Sequence, residues 1–316
     1  MKPDIAVYGN VWPLDALSAL QAEFNCHVMG SMSAAEQARF FNEGAPRVRG
    51  VLSTGIQGID AATAARFPQL EIVAVHGVGL DAVDLPALAA RGIVVTSTPE
   101  VLTEDVADLA VTLLLAASRR LPLLDRYVRA GHWLDKRPLP PARSLRGKTA
   151  GIYGYGRIGQ AVASRLRAFG IGIRYFQRSA GPEPQLRSAS LRELAAASDY
   201  LVVCTPGGAA TRHAVDAAVL DALGPEGILV NIARGSVVDE AALAGALAAG
   251  RLGAAALDVF EDEPHVPAAL RALDNAVLSP HVGSFTVEAR EAMRTLCFDN
   301  LRAHFAGGPV LTPVLR

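Results

Sequence analysis

Short apolar runs rich in Val and Ile alternate along this chain with longer Ala- and Leu-rich stretches of helical period. Such alternation is typical of βα units, in which helices cover both faces of a parallel sheet. The amino-terminal third predicts four strands: DIAVY, RGVLS, EIVAVH and GIVVTS. Helical patterns such as PLDALSALQAEF separate them. The pattern therefore predicts a doubly wound α/β domain in this part of the chain.

A long apolar segment, TPEVLTEDVADLAVTLLLAASRRL, predicts a single helix after Ser97. Thr103 is suited to cap its start, and Glu104 and Asp105 suit the positive end of its dipole. The segment has too few polar positions for a helix that exposes one face to solvent. We therefore expect most of its surface to be covered.

Residues 121–145 include the proline-rich stretch RPLPPARSL and predict an irregular connector. A second series of βα units opens beyond it at GKTAGIYGYGRIG. This series predicts strands at 149–153, 173–176, 200–204, 228–232, 254–257 and 276–278. An amphipathic helix follows in TVEAREAMRTLCFDNLRAHFAGG. From the pattern alone, the boundary between two domains falls at the connector.

The composition is that of a globular protein. A length of 316 residues suits two domains, and 51% hydrophobic and 19% charged residues with a net charge of −1 exclude disordered and polyanion-binding classes. We therefore expect no nucleic-acid partner. Apolar runs fall short of the roughly 20 residues that span a bilayer, and MKPDIAVYGN lacks a signal-peptide pattern. The expectation is a soluble cytoplasmic protein with no membrane partner.

The cysteines, Cys26, Cys204 and Cys297, are scattered along the chain without CxxC spacing. The cysteines and histidines do not form a set with the spacing of zinc ligands either. The sequence therefore predicts buried free thiols and no metal.

A glycine-rich sequence, GYGRIG, stands between a predicted strand and a predicted helix. In that context the pattern predicts a dinucleotide-binding turn. Gly154 permits the tight turn, Gly156 lets the backbone approach a pyrophosphate, and Gly159 allows close packing of helix on strand. The amides of Arg157 and Ile158 at the helix start then face the phosphates. A turn that serves packing alone is the alternative.

The residues about 20 positions later indicate which dinucleotide to expect. An acid at the end of the second strand would bind the ribose hydroxyls of NAD and repel the additional phosphate of NADP. The sequence here is RYFQRS, and Gln177 removes that repulsion. Arg178 supplies a planar cation for phosphate oxygens, and Ser179 adds a hydroxyl donor. We therefore expect NADP(H) rather than NAD(H); a solvated surface arginine is the structural alternative.

Three further segments, VNIARGSVVDE, LDVFEDEP and LSPHVGS, each follow a predicted strand and lie at one sheet edge, where open α/β sheets bind ligands. Arg234 is a forked cation suited to the carboxylate and carbonyl of a 2-oxo acid. His281, as imidazolium, can protonate the oxygen when a nicotinamide hydride reduces the carbonyl. Glu263 would hydrogen-bond the other ring nitrogen and stabilise the imidazolium. Taken singly, each also has a structural interpretation, such as an ion pair of Arg234 with Asp239.

Together these motifs resemble the D-isomer-specific 2-hydroxyacid dehydrogenase family over nearly the whole chain. The matching segments are VHGVGLDAVDL, TPEVLTEDVADLAVTLLLAASRR, GIYGYGRIGQAVA, LVNIARGSVVDEAAL, ALDVFEDEP and LSPHVGS. The resemblance implies a flavodoxin-like substrate domain of residues 1–98 and 284–316. It implies a Rossmann cofactor domain of residues 99–283. A boundary at the proline-rich connector would then be wrong by one long helix.

The resemblance also assigns functional residues. Arg234, Glu263 and His281 become the catalytic trio in the roles given above. Backbone amides of Val78 and Gly79 would hold the substrate carboxylate, because free amides in a glycine-flanked turn attract anions. The remaining implied cofactor contacts are Thr205 and Pro206 at the adenine-side ribose, Ile232 and Ala233 at the nicotinamide-side ribose, Asp258 and Gly283 at the carboxamide, and Arg234 and His281.

The pair Arg178 and Ser179, together with RYVRAGHW, resembles the NADPH-dependent glyoxylate and hydroxypyruvate reductases of this family. The resemblance implies reduction of a 2-oxo acid to a D-2-hydroxy acid in a homodimer that buries the apolar helix from Thr103. Glyoxylate and hydroxypyruvate are the substrates expected first, with 2-ketogluconate or hydroxyphenylpyruvate as alternatives. A dinucleotide-sensing interaction protein without catalysis is the alternative of another class, and the intact trio counts against it. The side chains expected to line the substrate pocket are Leu52, Ser53, Thr54 and Leu80.

Overall fold

A computed structural model describes residues 2–9, 12–179 and 181–314, and of Leu14 and Asp15 only the backbone. The chain forms two units: Met1–Leu102 with Thr286–Arg316, and Thr103–Phe285. The crossing points lie within a few residues of those that the family resemblance implies. The proline-rich connector lies inside the second unit. The boundary expected from the hydrophobic pattern alone is therefore wrong.

Within the described residues, the first unit is built on five parallel strands. They are β1 (Asp4–Val7), β2 (Asn25–Val28), β3 (Val48–Thr54), β4 (Ile72–His76) and β5 (Val94–Thr96). Their order is β2-β1-β3-β4-β5, that of flavodoxin-like doubly wound sheets. The helices of its amino-terminal part are α1 (Leu14–Glu23), α2 (Ala34–Glu43), α3 (Ala61–Ala65) and α4 (Leu85–Ala90).

The first unit contains two elements that the hydrophobic pattern did not predict. β2 (NCHV) is an edge strand with exposed and half-buried side chains, so it lacks the apolar run of a central strand. α2 begins at Ser33, whose hydroxyl accepts from the Glu36 N–H while the Glu36 carboxylate accepts from the Ser33 N–H. A short edge strand needs tertiary contacts to be recognised, whereas the Ser33–Glu36 spacing is a local signal that could have revealed α2.

In the described part of the second unit, six parallel strands form one sheet. They are β6 (Thr149–Tyr153), β7 (Gly172–Phe176), β8 (Tyr200–Val203), β9 (Ile228–Asn231), β10 (Ala254–Leu257) and β11 (Ala276–Leu278). The order is β11-β10-β9-β8-β6-β7, and a single parallel bridge from Tyr175 to Arg187 extends the sheet beyond β7. The strand order reverses between β6 and β8, the place where doubly wound sheets bind ligands. The predicted α/β class with two doubly wound sheets is confirmed.

The helices of the second unit are α5 (Thr103–Ser118), α6 (Leu121–Arg129), α7 (Arg157–Ala168), α8 (Leu191–Ala196), α9 (Ala217–Leu223), α10 (Glu240–Ala248) and α11 (Ala268–Arg271). α6 replaces the irregular structure that the prolines suggested, because Pro122 stands in the first helical turn, where no N–H is needed. α8, α9 and α10 begin at Ser190, Asp216 and Asp239, whose side chains accept backbone N–H bonds.

The apolar helix α5 is covered largely within its own unit. It packs on α7 and on β9, β10 and β11, and its buried residues include Val106, Ala110 and Leu114. Arg165 of α7 binds Asp108 of α5 at 2.5 Å. The lack of a polar face on α5 therefore does not by itself require a second subunit.

The helix α12 (Val287–Phe305) returns to the first unit and packs on β4. Cys297, Phe298 and Leu301 join the core on one face of that unit's sheet. The three cysteines are free; only Cys297 is fully buried, whereas Cys26 and Cys204 are half-buried. None of the described helices is both long and apolar enough to cross a membrane.

Candidate active site

The loops after β9, β10 and β11 lie side by side at the carboxyl edge of the second unit's sheet. Arg234 follows β9, Glu263 follows β10 and His281 follows β11. Because the three strands are neighbours, their carboxyl ends bring these side chains to one region.

Arg234 is held by the end of its own strand. Asn231, the last residue of β9, is buried, and its amide nitrogen donates to the Arg234 carbonyl at 2.9 Å. The Asn231 side-chain oxygen accepts from the Ala233 N–H at 3.1 Å. Arg234 Nη1 in turn donates to the Ala233 carbonyl at 2.6 Å. These bonds fix the backbone from which the guanidinium extends.

Gly235 brings the Arg234 loop against the loop that carries Glu263. A Cβ at this position would lie 1.9 Å from the carbonyl carbon of Phe260 and 2.3 Å from the Glu261 nitrogen. Only glycine permits this backbone-to-backbone contact.

Glu263 is held at both carboxylate oxygens. Oε1 accepts from the Phe260 N–H at 3.0 Å, and Oε2 lies 2.7 Å from His281 Nδ1. Burial is the largest single influence and acts to raise the pKa of Glu263. The hydrogen bond and charge of His281, the Phe260 N–H and the charge of Arg234 together outweigh it, so the pKa of Glu263 is lowered overall. Glu263 is therefore a carboxylate at neutral pH.

Buried Glu240, in the first turn of α10, braces the same loop. Its Oε1 accepts from the Glu261 N–H at 2.7 Å. Burial, followed by the charges of Glu261, Glu263 and Asp262, raises the pKa of Glu240 despite that hydrogen bond.

His281 occupies a left-handed backbone conformation, with φ of +53°. Its N–H donates to the Asp258 carbonyl at 2.7 Å. The buried Asp258 carboxylate accepts from the Val282 N–H, the Gly283 N–H and the Ser279 hydroxyl at 2.9, 2.8 and 2.6 Å. Asp258 thus builds the turn that presents the imidazole.

The geometry of the Glu263 and His281 pair defines what it can do. Since Glu263 is ionised and accepts, His281 Nδ1 carries a proton and donates to it. Nε2 is then the ring atom left to exchange a proton with a bound molecule. Both side chains keep some exposure, 28% for His281 and 22% for Glu263. The arrangement suits a general acid or base supported by a carboxylate.

The glycine loop has the geometry that the sequence predicts. Gly154 has φ of +97°, and a Cβ there would lie 2.6 Å from the Thr205 nitrogen. A Cβ on Gly159 would lie 2.2 Å from the Gly154 carbonyl oxygen. A Cβ on Gly156, which caps α7, would have no atom of the described residues within 4 Å. The backbone at the Gly156 cap is therefore accessible, while Gly159 packs against the loop; the pyrophosphate contact stays a prediction.

Gln177, Arg178 and Ser179 stand just after the end of β7, where the sequence has no acidic residue. Gln177 Oε1 accepts from the Tyr155 N–H at 3.0 Å, so this side chain joins β7 to the glycine loop. Arg178 and Ser179 follow and are exposed. With no carboxylate at this position, nothing there repels a phosphate. Thr205, at the end of the next strand, packs directly against Gly154.

The sequence matches a known family. The model of the D-isomer-specific 2-hydroxyacid dehydrogenases, NAD-binding domain, matches residues 111–283, more than half of the chain. The chain belongs to this family. This dehydrogenase is therefore an oxidoreductase with a Rossmann cofactor domain, as the sequence predicts.

Similar proteins narrow the activity. The enzyme is 51% identical over 269 residues to glyoxylate/hydroxypyruvate reductase A of Arabidopsis thaliana, which covers 85% of this chain and 86% of the relative. It is 41% identical to 2-ketogluconate reductase of Gluconobacter oxydans over 99% of both chains. An NADPH-dependent glyoxylate/hydroxypyruvate reductase of Sinorhizobium meliloti, solved with NADP and malonate, has 44% identity and a TM-score of 0.89 over 99% of this chain and 97% of that chain. This dehydrogenase is a reductase of 2-oxo acids.

The loop predicted to bind substrate lies in the first unit, after β4. Gly77 has φ of +132°, a conformation that favours glycine, and its N–H donates to Thr98 Oγ1 at 2.9 Å. Val78 is 40% exposed. A Cβ on Gly55 would lie 2.7 Å from the Gly79 carbonyl oxygen, so two backbone segments meet here. The role of the Val78 and Gly79 amides in this dehydrogenase stays a prediction.

Two residues expected to line the substrate pocket are core residues instead. Leu52 and Ser53 are fully buried in β3, which is covered on both faces, and Ser53 Oγ donates to the Gly58 carbonyl at 2.6 Å. The expectation is therefore wrong for both. Thr54 is also buried, and Leu80 is half-buried.

Sequence reasoning missed the residues that hold the site of this dehydrogenase together. Asn231, Glu240 and Gly235 were not predicted to act there, and Asp258 was assigned to the cofactor without its part in the His281 turn. Asn231 and Asp258 are polar residues at the ends of buried strands, and this pattern is the signal that could have found them. Nothing in the sequence indicates that Glu240 reaches the Glu261 N–H, because Glu240 belongs to α10 and Glu261 to the loop after β10.

Proposed function

We propose that the enzyme is an NADPH-dependent reductase that converts glyoxylate and hydroxypyruvate to D-2-hydroxy acids. One observation carries the cofactor preference: Gln177 bonds the glycine loop where an acid would hold the NAD ribose, and exposed Arg178 follows it. The substrate class rests on the relatives that share these motifs. Reduction of 2-ketogluconate, the activity that names another relative, is the second candidate, and hydroxyphenylpyruvate is a third.

In this proposal the residues of the second unit hold the cofactor. The amides of Arg157 and Ile158 at the start of α7 bind the pyrophosphate, with Gly154, Gly156 and Gly159 giving it access. Arg178 and Ser179 bind the 2′-phosphate. The further contacts are Gln177, Thr205, Pro206, Ile232, Ala233, Arg234, Asp258, His281 and Gly283.

The substrate is held by charge and by backbone donors. Arg234 binds the carboxylate and the carbonyl oxygen of the oxo acid through its planar fork of N–H groups. The amides of Val78 and Gly79 bind the carboxylate as well.

The proton comes from His281. When bound, the reduced nicotinamide supplies the hydride that the carbonyl carbon accepts. His281 Nε2 gives a proton to the carbonyl oxygen as negative charge develops there. Glu263, which accepts from Nδ1 at 2.7 Å, stabilises the imidazolium before the transfer and orients the ring during it.

We also propose that the enzyme is a homodimer. Large apolar side chains are exposed along one segment of the second unit: Leu121, Val128, Trp133 and Leu134, at 61%, 53%, 72% and 88%. A cluster of this kind is typical of a surface that another chain covers. Light scattering on the purified protein tests this, and a mass near 33.1 kDa would contradict it. A cytoplasmic location stays a prediction from the sequence.

The decisive experiment follows NADPH absorbance at neutral pH with glyoxylate, hydroxypyruvate, 2-ketogluconate and hydroxyphenylpyruvate, then repeats the series with NADH. We expect the highest kcat/KM with glyoxylate or hydroxypyruvate and NADPH. A higher value with 2-ketogluconate or hydroxyphenylpyruvate would replace the proposed substrate. Tight dinucleotide binding without turnover of any oxo acid would favour a dinucleotide-sensing interaction protein.

A further inference from the structure

Arg187 binds the loop after β7 through the loop's backbone. Its Nη2 donates to the carbonyl oxygens of Gln177 and Arg178, each at 3.1 Å. These carbonyls belong to the peptide groups on the two sides of the Arg178 Cα. One guanidinium nitrogen therefore fixes the direction in which the Arg178 side chain leaves the backbone.

The backbone of Arg187 is itself attached to the sheet. Arg187 forms the parallel bridge with Tyr175 of β7, and the Ser188 N–H donates to the Tyr175 carbonyl at 2.8 Å. Tyr175 is fully buried and stacks on Tyr155 of the glycine loop, with ring centroids 4.2 Å apart. The Arg187 side chain therefore extends from a fixed base.

The acidic side chains of this segment are engaged elsewhere. Glu183 binds Arg167 at 2.8 Å and accepts from the Tyr155 hydroxyl. Glu193 accepts a backbone N–H at the start of α8 at 3.1 Å. Among the described residues, neither Arg178 nor Arg187 forms an ion pair. The loop therefore keeps a net positive charge that no neighbouring carboxylate neutralises.

We propose that Arg187 is a positioning residue for the 2′-phosphate of the dinucleotide. It acts by holding the backbone of residues 177 and 178, so that Arg178 already points in the direction from which it binds the phosphate. A side chain on a fixed backbone loses less conformational freedom on binding. This inference rests on the proposed preference for NADPH.

The test measures binding without turnover, using the full chain. Calorimetry is run with adenosine 2′,5′-bisphosphate and with adenosine 5′-monophosphate, which lacks the 2′-phosphate. We expect Arg187→Met to weaken the bisphosphate about tenfold and the monophosphate less than about twofold, as for the loss of charge-assisted hydrogen bonds. Arg187→Gln, whose amide can still donate to the carbonyls, should retain part of the affinity. The control is Arg192→Met, which removes an exposed arginine of the same segment.

A double-mutant cycle separates positioning from direct binding. If Arg187 acts through Arg178, Arg187→Met has little further effect in an Arg178→Met background. Additive losses would overturn the proposal, because Arg187 would then bind the phosphate itself. Equal weakening of both ligands would overturn it as well, since the loop would then serve structure alone.

The wild-type protein provides an independent check on the cofactor preference. A wild-type protein that binds both ligands equally would refute the NADPH preference itself and the inference with it. A wild-type preference that survives Arg187→Met would refute only the role of Arg187.

Discussion

His281 combines an uncommon backbone conformation with a partner at one ring nitrogen. A φ of +53° is rare for a residue with a side chain, and Asp258 and Glu263 hold the residue there. Backbone strain of this kind is often found where a side chain has to be presented to a ligand. Removal of the His281 imidazole is therefore expected to affect proton transfer specifically.

We expect His281→Ala to lower kcat by roughly two to four orders of magnitude, because a general acid is lost. Binding of NADPH, measured by its fluorescence, should remain. His265→Ala is the matched control, since the His265 side chain is 78% exposed and belongs to a neighbouring loop. Near-normal turnover of His281→Ala would remove its assigned role.

In the proposed function, the preference for NADPH depends on one side chain, that of Arg178. We expect Arg178→Ala to weaken NADPH roughly 10- to 100-fold, the range for a charge-assisted hydrogen bond, and to change NADH little. The KM values for the two cofactors measure this. Arg174→Ala, which removes an exposed arginine from β7, is the control. Equal weakening of both cofactors would refute the phosphate contact.

At the scale of secondary-structure elements, contacts between neighbouring loops set the relative positions of the candidate site residues. Gly235 lets the loop after β9 contact the loop after β10. Glu240, at the start of α10, accepts a hydrogen bond from the Glu261 N–H of the second loop. The strands themselves place the ends near one another. The loop contacts then set the distances between the functional side chains.

We expect Gly235→Ala to lower kcat/KM about 100-fold, because a Cβ 1.9 Å from the Phe260 carbonyl carbon has to push the two loops apart. The melting temperature should fall as well. Gly245→Ala in α10 is the control. Its Cβ would meet no atom within 4 Å in the part of the chain that the structure describes, and replacing a helical glycine should stabilise the fold by about 0.5–1 kcal/mol. An active Gly235→Ala enzyme would show that this contact does not position the site.

The elements that could be predicted share one property. Central strands such as β4, β8 and β9 consist mainly of consecutive apolar residues, because both of their faces are covered. β2 was missed because an edge strand lacks that apolar run. The amphipathic α6 was missed because the connector is rich in prolines, although Pro122 lies in the first helical turn and the other prolines follow the helix end. The hydrophobic periodicity of a single segment therefore predicts neither β2 nor α6.

At the scale of the whole molecule, stability depends on pH through His76. This residue ends β4 in the core of the first unit, 5.2 Å from the Trp12 ring, and burial followed by the charge of Arg290 lowers the pKa of His76 to about 4. The unfolded chain has an ordinary histidine pKa of about 6.5. Between these values the unfolded state binds a proton that the native state does not, so stability is lost as pH falls through this window.

We expect the stability of the wild type to fall by up to about 1.4 kcal/mol per pH unit in this window relative to His76→Leu, which cannot titrate. Thermal midpoints measured from pH 7 to pH 4 test this: the midpoint of the wild type minus that of the variant should decrease as pH falls from about 6.5 toward 4. The exposed His265, replaced by Leu, is the control. A constant difference would show that His76 has no lowered pKa.

The amino-acid sequence by itself determined the class of fold, and it predicted the glycine turn and Arg234, Glu263, His281 and Arg178 as candidate functional residues. It could do so because strand periodicity, glycine spacing and residue chemistry are local properties that can be detected within a few adjacent positions. The same reasoning placed the trio on neighbouring strand ends, since parallel βα units present those ends at one edge.

Tertiary structure alone decided how those residues are held. The contacts of Gly235 with Phe260, of Glu240 with the Glu261 N–H, and of Arg187 with two carbonyls join segments from different parts of the fold. Burial of Leu52 and Ser53 likewise follows from what covers β3 on its two faces. These features depend on which segments contact one another in the folded chain. The hydrophobic periodicity of one segment does not predict which other segments it contacts.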